Sequence, residues 1–142
     1  MSKSQELRVR AVLLEEWAQL MEQGDGDWML FDIAECDGDF LVVERGGKIL
    51  AYLQHKPHEY RQSWRVINRL ETRPYYKLRG YARRLVERVI QVYDPTEIIA
   101  RGVRSSSIGF WQHLGFVPDG YGPEIEGDVL YSEGNFVWEK KQ

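Results

Sequence analysis

The sequence predicts a mixed α/β fold, with α+β layers in which helices flank a central, mostly antiparallel sheet. Three observations lead there. Phe40–Arg45 and Lys48–Leu53 are β-rich runs separated only by Gly46-Gly47. Two glycines between such runs signal a hairpin, because a type I′ turn needs positive φ at both central residues. Trp64–Thr72 reads as a third long strand, closed by Pro74, and it leads into an amphipathic helix. Beyond that helix, short strand and helix signals alternate to the end of the chain, the pattern of layered α and β elements.

The elements follow in order. Leu7–Met21 reads as a helix, with Val9, Val12, Leu13, Trp17, Leu20 and Met21 at helical spacing. Gly24-Asp25-Gly26-Asp27 stops it. Trp28–Cys36 fits either a short helix or a strand, and Asp37-Gly38-Asp39 a turn. After the hairpin, Gln54–Ser63 reads as a polar loop. Over Gly80–Tyr93, Ala82, Leu85, Val86, Val89, Ile90 and Tyr93 line one helical face. Arg83, Arg84, Glu87, Arg88 and Gln91 line the other, and Asp94-Pro95 ends the helix. Glu97–Ala100 is a short strand, and Ser106–Leu114 a second helix with Gly115 past its end. Phe116-Val117 starts another strand, a loop rich in glycine and acids follows, and Asn135–Lys140 is the last strand.

A chain of 142 residues suits one domain, spanning 1–142, and can bury a core without disulfides or metals. Its net charge of −3 argues against a nucleic-acid binder, whose affinity needs many phosphate-neutralising cations. The single cysteine, Cys36, excludes an internal disulfide and fits a reducing compartment. Met1-Ser2-Lys3-Ser4-Gln5-Glu6 holds no apolar signal core. No stretch approaches the ~20 apolar residues that a membrane span needs. The expectation is a cytoplasmic protein that binds neither nucleic acid nor membrane.

The chemistry concentrates between Leu70 and Leu85, where a strand runs through a turn into a helix. The first N–H groups of a helix lack internal partners and carry about half a positive charge of dipole behind them, which makes an anion site. Gly80 and Ala82 let a bulky anion approach the backbone. Lys77, Arg79, Arg83 and Arg84 crowd this helix start, where cations oppose the dipole by roughly 0.3–1 kcal/mol each. A bound pyrophosphate reverses that sign. The plainer alternative makes Arg83 and Arg84 a solvated face, partly paired with Glu87 one turn on.

Pro74 followed by Lys77-Leu78-Arg79-Gly80-Tyr81-Ala82 resembles the acyl-CoA-binding signature of the GNAT acetyltransferase superfamily. That signature places Arg or Gln, two residues, Gly, one residue, then Gly or Ala after an apolar strand and a proline. Lysine stands here for the usual Arg or Gln and keeps a cation. Ser107-Ile108-Gly109-Phe110-Trp111-Gln112-His113-Leu114-Gly115-Phe116 resembles the family's later signature, ending Leu-Gly-Phe. The element order fits over roughly residues 38 to 140.

The resemblance implies acetyl-CoA, or a related acyl-CoA, as co-substrate, with no metal. The acceptor is a small-molecule or peptide amine, and the assembly a monomer or homodimer. It implies that the middle strands splay near Leu70 and admit the pantetheine arm like an extra strand. The Leu70 N–H would polarise the thioester carbonyl, and the Thr72 backbone would pair with pantetheine. Lys77, Leu78, Arg79, Gly80, Tyr81, Ala82 and Arg83 would surround the pyrophosphate. The rival expectation is a domain that binds acyl-CoA as a regulatory module without efficient transfer.

Departures from the family pattern bear on catalysis. Arg104 stands where the family often has Asn, Ser107 replaces Ala, and Trp111 replaces the Tyr that often protonates the departing thiolate. An indole is no general acid near neutral pH, so Trp111 packs against the CoA arm or belongs to the core. In a regular strand Trp64, Val66, Asn68 and Leu70 share one face. Asn68 there can hold a water but cannot act as a base. Glu71 has the wrong parity unless a bulge intervenes.

Other constellations carry less. His55-Lys56-Pro57-His58-Glu59 is not a helical zinc motif and reads as a solvated loop. Asp25-Gly26-Asp27 and Asp37-Gly38-Asp39 read as turns rather than calcium loops. Glu124-Ile125-Glu126-Gly127-Asp128, with Glu133 beyond it, is acidic throughout. The resemblance places this segment beside the acceptor, where its field would attract a protonated amine.

Overall fold

A computed structural model describes residues 6–22, 38–119, 125–126, 129–130 and 134–141. The first element departs from expectation. Leu7–Val12 is strand β1, and helix α1 begins only at Leu14 and runs to Glu22. β1 pairs antiparallel with β2 (Asp39–Arg45), from Leu7 opposite Arg45 to Val12 opposite Phe40. The cause is a period of two hidden within the helical pattern. Leu7 and Val9 pack against the core. Arg8 and Arg10 both bond the buried carboxylate of Glu44 on β2, Arg10 Nε at 2.9 Å.

Gly46 and Gly47 turn the chain with φ of 58° and 82°, as the hairpin requires. β3 then runs from Lys48 to Pro57. This corrects the expected polar loop, since Gln54 and His55 lie inside the strand and are buried. β4 is Trp64–Thr72, α2 Tyr81–Tyr93 and β5 Glu97–Val103. A single 3-10 turn at Ser105–Ser107 leads into α3, Ile108–His113. The chain closes with β6 (Val117–Pro118), the two-stranded ribbon of β7 (Ile125–Glu126) and β8 (Val129–Leu130), and β9 (Gly134–Glu139). Trp28–Cys36 lies outside the described residues.

The main sheet has the order β1-β2-β3-β4-β5-β9-β6. Its neighbours are antiparallel except β4 and β5, which α2 links as a parallel crossover. α2 buries Tyr81, Leu85, Val86 and Val89 against one face of the sheet. α1 covers the opposite face, where Trp17 stacks on Phe40 with ring centroids 4.5 Å apart and meets Tyr52 at 4.9 Å. None of the described helices is long and apolar enough to cross a membrane.

Two irregularities of β4 position the site. Gln54 stands opposite Arg69 but His55 opposite Ile67, so Asn68 is an extra residue, a β-bulge. The bulge reverses the expected parity. Leu70 joins Ile67 on the α2 face, while Glu71 faces the α1 side with Tyr52. Leu70 therefore does not share a face with Trp64 and Val66. The second irregularity is that the β4–β5 ladder stops at Ile67 opposite Ala100, although β4 runs on to Thr72 and β5 to Val103.

Candidate functional site

Backbone direction follows from one hydrogen bond. Arg73 N–H donates to Leu50 O on β3 at 2.8 Å. In an antiparallel ladder, bonded and non-bonded pairs alternate. Tyr52 and Glu71 are therefore a bonded pair, and the pairs Ala51–Thr72 and Leu53–Leu70 are not. The N–H and C=O groups of Leu70 and Thr72 then point away from β3, toward β5. That is where the ladder with β5 has ended. Their backbone groups line an open wedge between two strands, which an extended guest can enter as an added strand.

From the mouth of this wedge, residues 73–80 carry the chain into α2. Gly80 precedes the helix in a left-handed conformation, φ 80°, with no side-chain cap. Arg84 N–H is bonded to Gly80 O, so the amides of Tyr81, Ala82 and Arg83 come before the first helical bond. A Cβ built on Gly80 meets nothing within 4 Å, so open space lies before these amides. Lys77, Leu78 and Arg79 are exposed beside them. The first turn of α2 holds no acid, so the dipole meets cations only. Arg83 Nε donates to Glu87 Oε1, one turn on, at 2.7 Å. Tyr81 is buried in the core and offers the site its backbone alone.

On the α1 side of the wedge, Tyr52 Oη donates to Glu71 Oε2 at 2.7 Å. Tyr52 is buried among Val12, Trp17, Phe40, Val42 and Ile49, so its hydroxyl is a fixed point. One oxygen of Glu71 is thus held, next in sequence to Leu70. Sequence reasoning missed this pair because the two residues are joined by register and a bulge, not by spacing. Asn68, the bulge residue, is half-buried.

Trp111 sits inside the core, 5% exposed, with its ring edge-on to Phe110 at 5.1 Å and Phe116 at 4.8 Å. Of its two readings, burial favours the core. In the acidic segment, Ile125–Glu126 pairs with Val129–Leu130; Glu124, Gly127, Asp128 and Glu133 lie outside the described residues. Among the described residues, no group of three His, Cys, Asp or Glu could hold a metal ion.

Residues 8–116 match the acetyltransferase (GNAT) family. No curated protein matches the chain. Among solved structures, a GNAT-family protein from Desulfovibrio desulfuricans matches with a TM-score of 0.71 and 15% identity, over 94% of this chain and 99% of the other. The PaiA N-acetyltransferase of Thermoplasma acidophilum, in complex with coenzyme A, matches with a TM-score of 0.66 and 14% identity, over 95% and 99%. Diaminobutyrate acetyltransferase EctA of Paenibacillus lautus, in complex with diaminobutyric acid and coenzyme A, matches with a TM-score of 0.62 and 12% identity, over 94% of each chain. At these identities the structural likeness concerns the fold.

Proposed function

The chain belongs to the acetyltransferase (GNAT) family, and from that premise we propose that it transfers an acetyl or related acyl group from acyl-CoA to a primary amine. The observation that carries this reading is the wedge beside Leu70 and Thr72, open next to an uncapped helix start. In this reading the Leu70 N–H donates to the thioester oxygen and stabilises the charge that develops there. The Thr72 backbone pairs with the pantetheine arm. The amides of Tyr81, Ala82 and Arg83 take the pyrophosphate, and Lys77 and Arg79 add positive charge.

The α2 face of the wedge is backed by packed side chains, so the amine arrives from the α1 side. There Glu71 meets it, with Oε2 held by Tyr52 and Oε1 toward the nitrogen. The nitrogen attacks the carbonyl carbon, a C–N bond forms and the C–S bond breaks. Glu71 takes the proton that frees the nitrogen's lone pair before attack. The second proton, shed by the nitrogen as the amide forms, passes through water to the leaving thiolate. A carboxylate next to the reaction centre also favours acceptors that arrive as ammonium ions. The acceptor held by EctA is of that kind, which supports a cationic amine here.

The test is release of free thiol from acetyl-CoA over a panel of mono- and diamines. Turnover that depends on the amine is expected. Tight CoA binding with no turnover on any amine would instead mark a binding module. Glu71→Gln should then lower kcat by about a hundredfold near neutral pH, within the usual range for a general base. The KM for acetyl-CoA should stay nearly unchanged. A Glu71→Gln enzyme with wild-type kcat would remove Glu71 from the mechanism.

A further inference from the structure

We propose that Lys48 and Tyr76 form a clasp that holds residues 73–80 in their phosphate-binding shape, acting as positioning residues outside the sequence motif. The proposal rests on the reading of Gly80 and the start of α2 as the pyrophosphate site. Between Pro74 and Gly80, Tyr76 is the one side chain that is not exposed, and its ring packs against the α2-side core. Left-handed residues stand on both sides of it, Tyr75 at φ 72° and Leu78 at φ 66°. Their own side chains are fully in solvent, 95% and 105% exposed. Nothing those two side chains touch explains why the loop keeps this shape. Tyr76 is the anchor between them.

The anchor is tied from outside the loop. Lys48, the first residue of β3 after the Gly46-Gly47 turn, donates from Nζ to Tyr76 Oη at 3.2 Å. The same ammonium lies 5.1 Å from the centre of the phenol ring, and the Arg79 guanidinium 4.9 Å from it. Tyr76 thus fixes where Arg79, the residue before Gly80, holds its charge. The hydrogen bond from Lys48, with the charges of Lys48, Arg79 and Arg73, lowers the pKa of the Tyr76 phenol. The start of β3 also holds the beginning of the loop. Arg73 donates from its backbone to Leu50 O at 2.8 Å and from Nε to Ile49 O at 2.7 Å. Residues 48–50 therefore set the loop at both Arg73 and Tyr76.

The experiment compares Lys48→Met, Tyr76→Phe, the double variant and Lys48→Arg with the wild type. Each is titrated with coenzyme A by calorimetry, and with S-acetylpantetheine, which lacks the pyrophosphate, by ligand-observed NMR. Lys48→Met and Tyr76→Phe should each weaken coenzyme A about tenfold, and the double variant no more than either, as expected for partners in one contact. Lys48→Arg should restore most of the loss, since a guanidinium can bond the phenol and lie over its ring. S-acetylpantetheine affinity and Tm should hardly move. Equal losses for both ligands would show a general structural effect and overturn the clasp. Coenzyme A binding as in the wild type would overturn it too and leave the acyl-CoA reading intact. Failure of the wild type itself to bind coenzyme A would overturn that reading and the clasp with it.

Discussion

Tyr75 and Leu78 hold left-handed backbone without being glycine, at about 1–2 kcal/mol each for an L-residue. No side-chain contact of Leu78 offsets its cost, since the residue is fully exposed. Leu78→Gly should therefore stabilise the fold by about 0.5–1 kcal/mol, relief of strain outweighing the added chain entropy. Urea unfolding measures it. An unchanged or lower midpoint would show that the left-handed backbone is not strained. Gly80, two residues on, separates shape from chemistry. At φ 80° with open space at its Cβ, Gly80→Ala costs backbone strain alone, about 1 kcal/mol. Gly80→Glu adds a carboxylate that the helix dipole favours, so the variant should fold. The same carboxylate occupies the position proposed for a polyanion, and acetyl-CoA binding should be lost by calorimetry. A folded Gly80→Glu protein of wild-type affinity would place the anion elsewhere.

At the scale of elements, β3 and β4 enclose a buried polar pair beside the bulge. His55 is fully buried, and its Nδ1 accepts from Arg65 Nη2 at 2.7 Å. Tyr93 of α2 closes the pair, its ring 4.2 Å from the Arg65 guanidinium and edge-on to His55 at 4.9 Å. Asp39 of β2 reaches Arg65 at 3.4 Å. Burial, and then the Arg65 charge, push the His55 imidazole down to about 4, with Asp39 acting weakly the other way. The unfolded chain takes up this proton near pH 6.5 and the folded protein only near pH 4, so stability falls as pH drops between them. The contribution is complete above about pH 6.5 and amounts to about 3 kcal/mol at roughly 1.4 kcal/mol per pH unit. His55→Asn, which keeps a neutral acceptor, should flatten the slope between pH 6.5 and 4.5. Parallel pH profiles for the variant and the wild type would sink the idea.

The same elements show where sequence pattern suffices. Gly46-Gly47 and the turn into α2 are legible because left-handed backbone and an apolar helical stripe leave marks on residue type. β1 carries a helical signature, because Val9, Val12 and Leu13 satisfy a helical period. Arg8 and Arg10 make sense only once Glu44 is opposite them. A bulge leaves no mark of its own, for one inserted residue looks like any other. Yet the insertion at Asn68 decides which side of the sheet Glu71 faces. The strand end and glycine turn that open α2 thus leave marks in the sequence, whereas the side of the sheet that Glu71 faces leaves none.

For the molecule as a whole, the distribution of charge matters more than the net of −3. The segment from Arg73 to Arg88 holds Arg73, Lys77, Arg79, Arg83, Arg84 and Arg88 against Glu87 alone, so the remaining sequence is more acidic than the total suggests. Under the proposed reading, a polyanionic donor would be drawn to that stretch and a cationic acceptor to the rest. Screening separates this field from shape. Between about 0.1 M and 1 M salt the Debye length falls from about 10 Å to about 3 Å. Affinity for acetyl-CoA should then drop several-fold, while that for S-acetylpantetheine, which carries no phosphate, should hold. Thermal shift gives the same contrast without knowledge of the acceptor. At a hundredfold excess over Kd, a ligand selective for the folded state stabilises it by about 2.7 kcal/mol, a rise of about 5–10 °C in Tm for a chain of this size. With acetyl-CoA fixed at that low-salt concentration, the rise should shrink as salt is added. A rise that salt leaves unchanged would mean that the donor is held by the wedge beside Leu70, with the basic stretch contributing little.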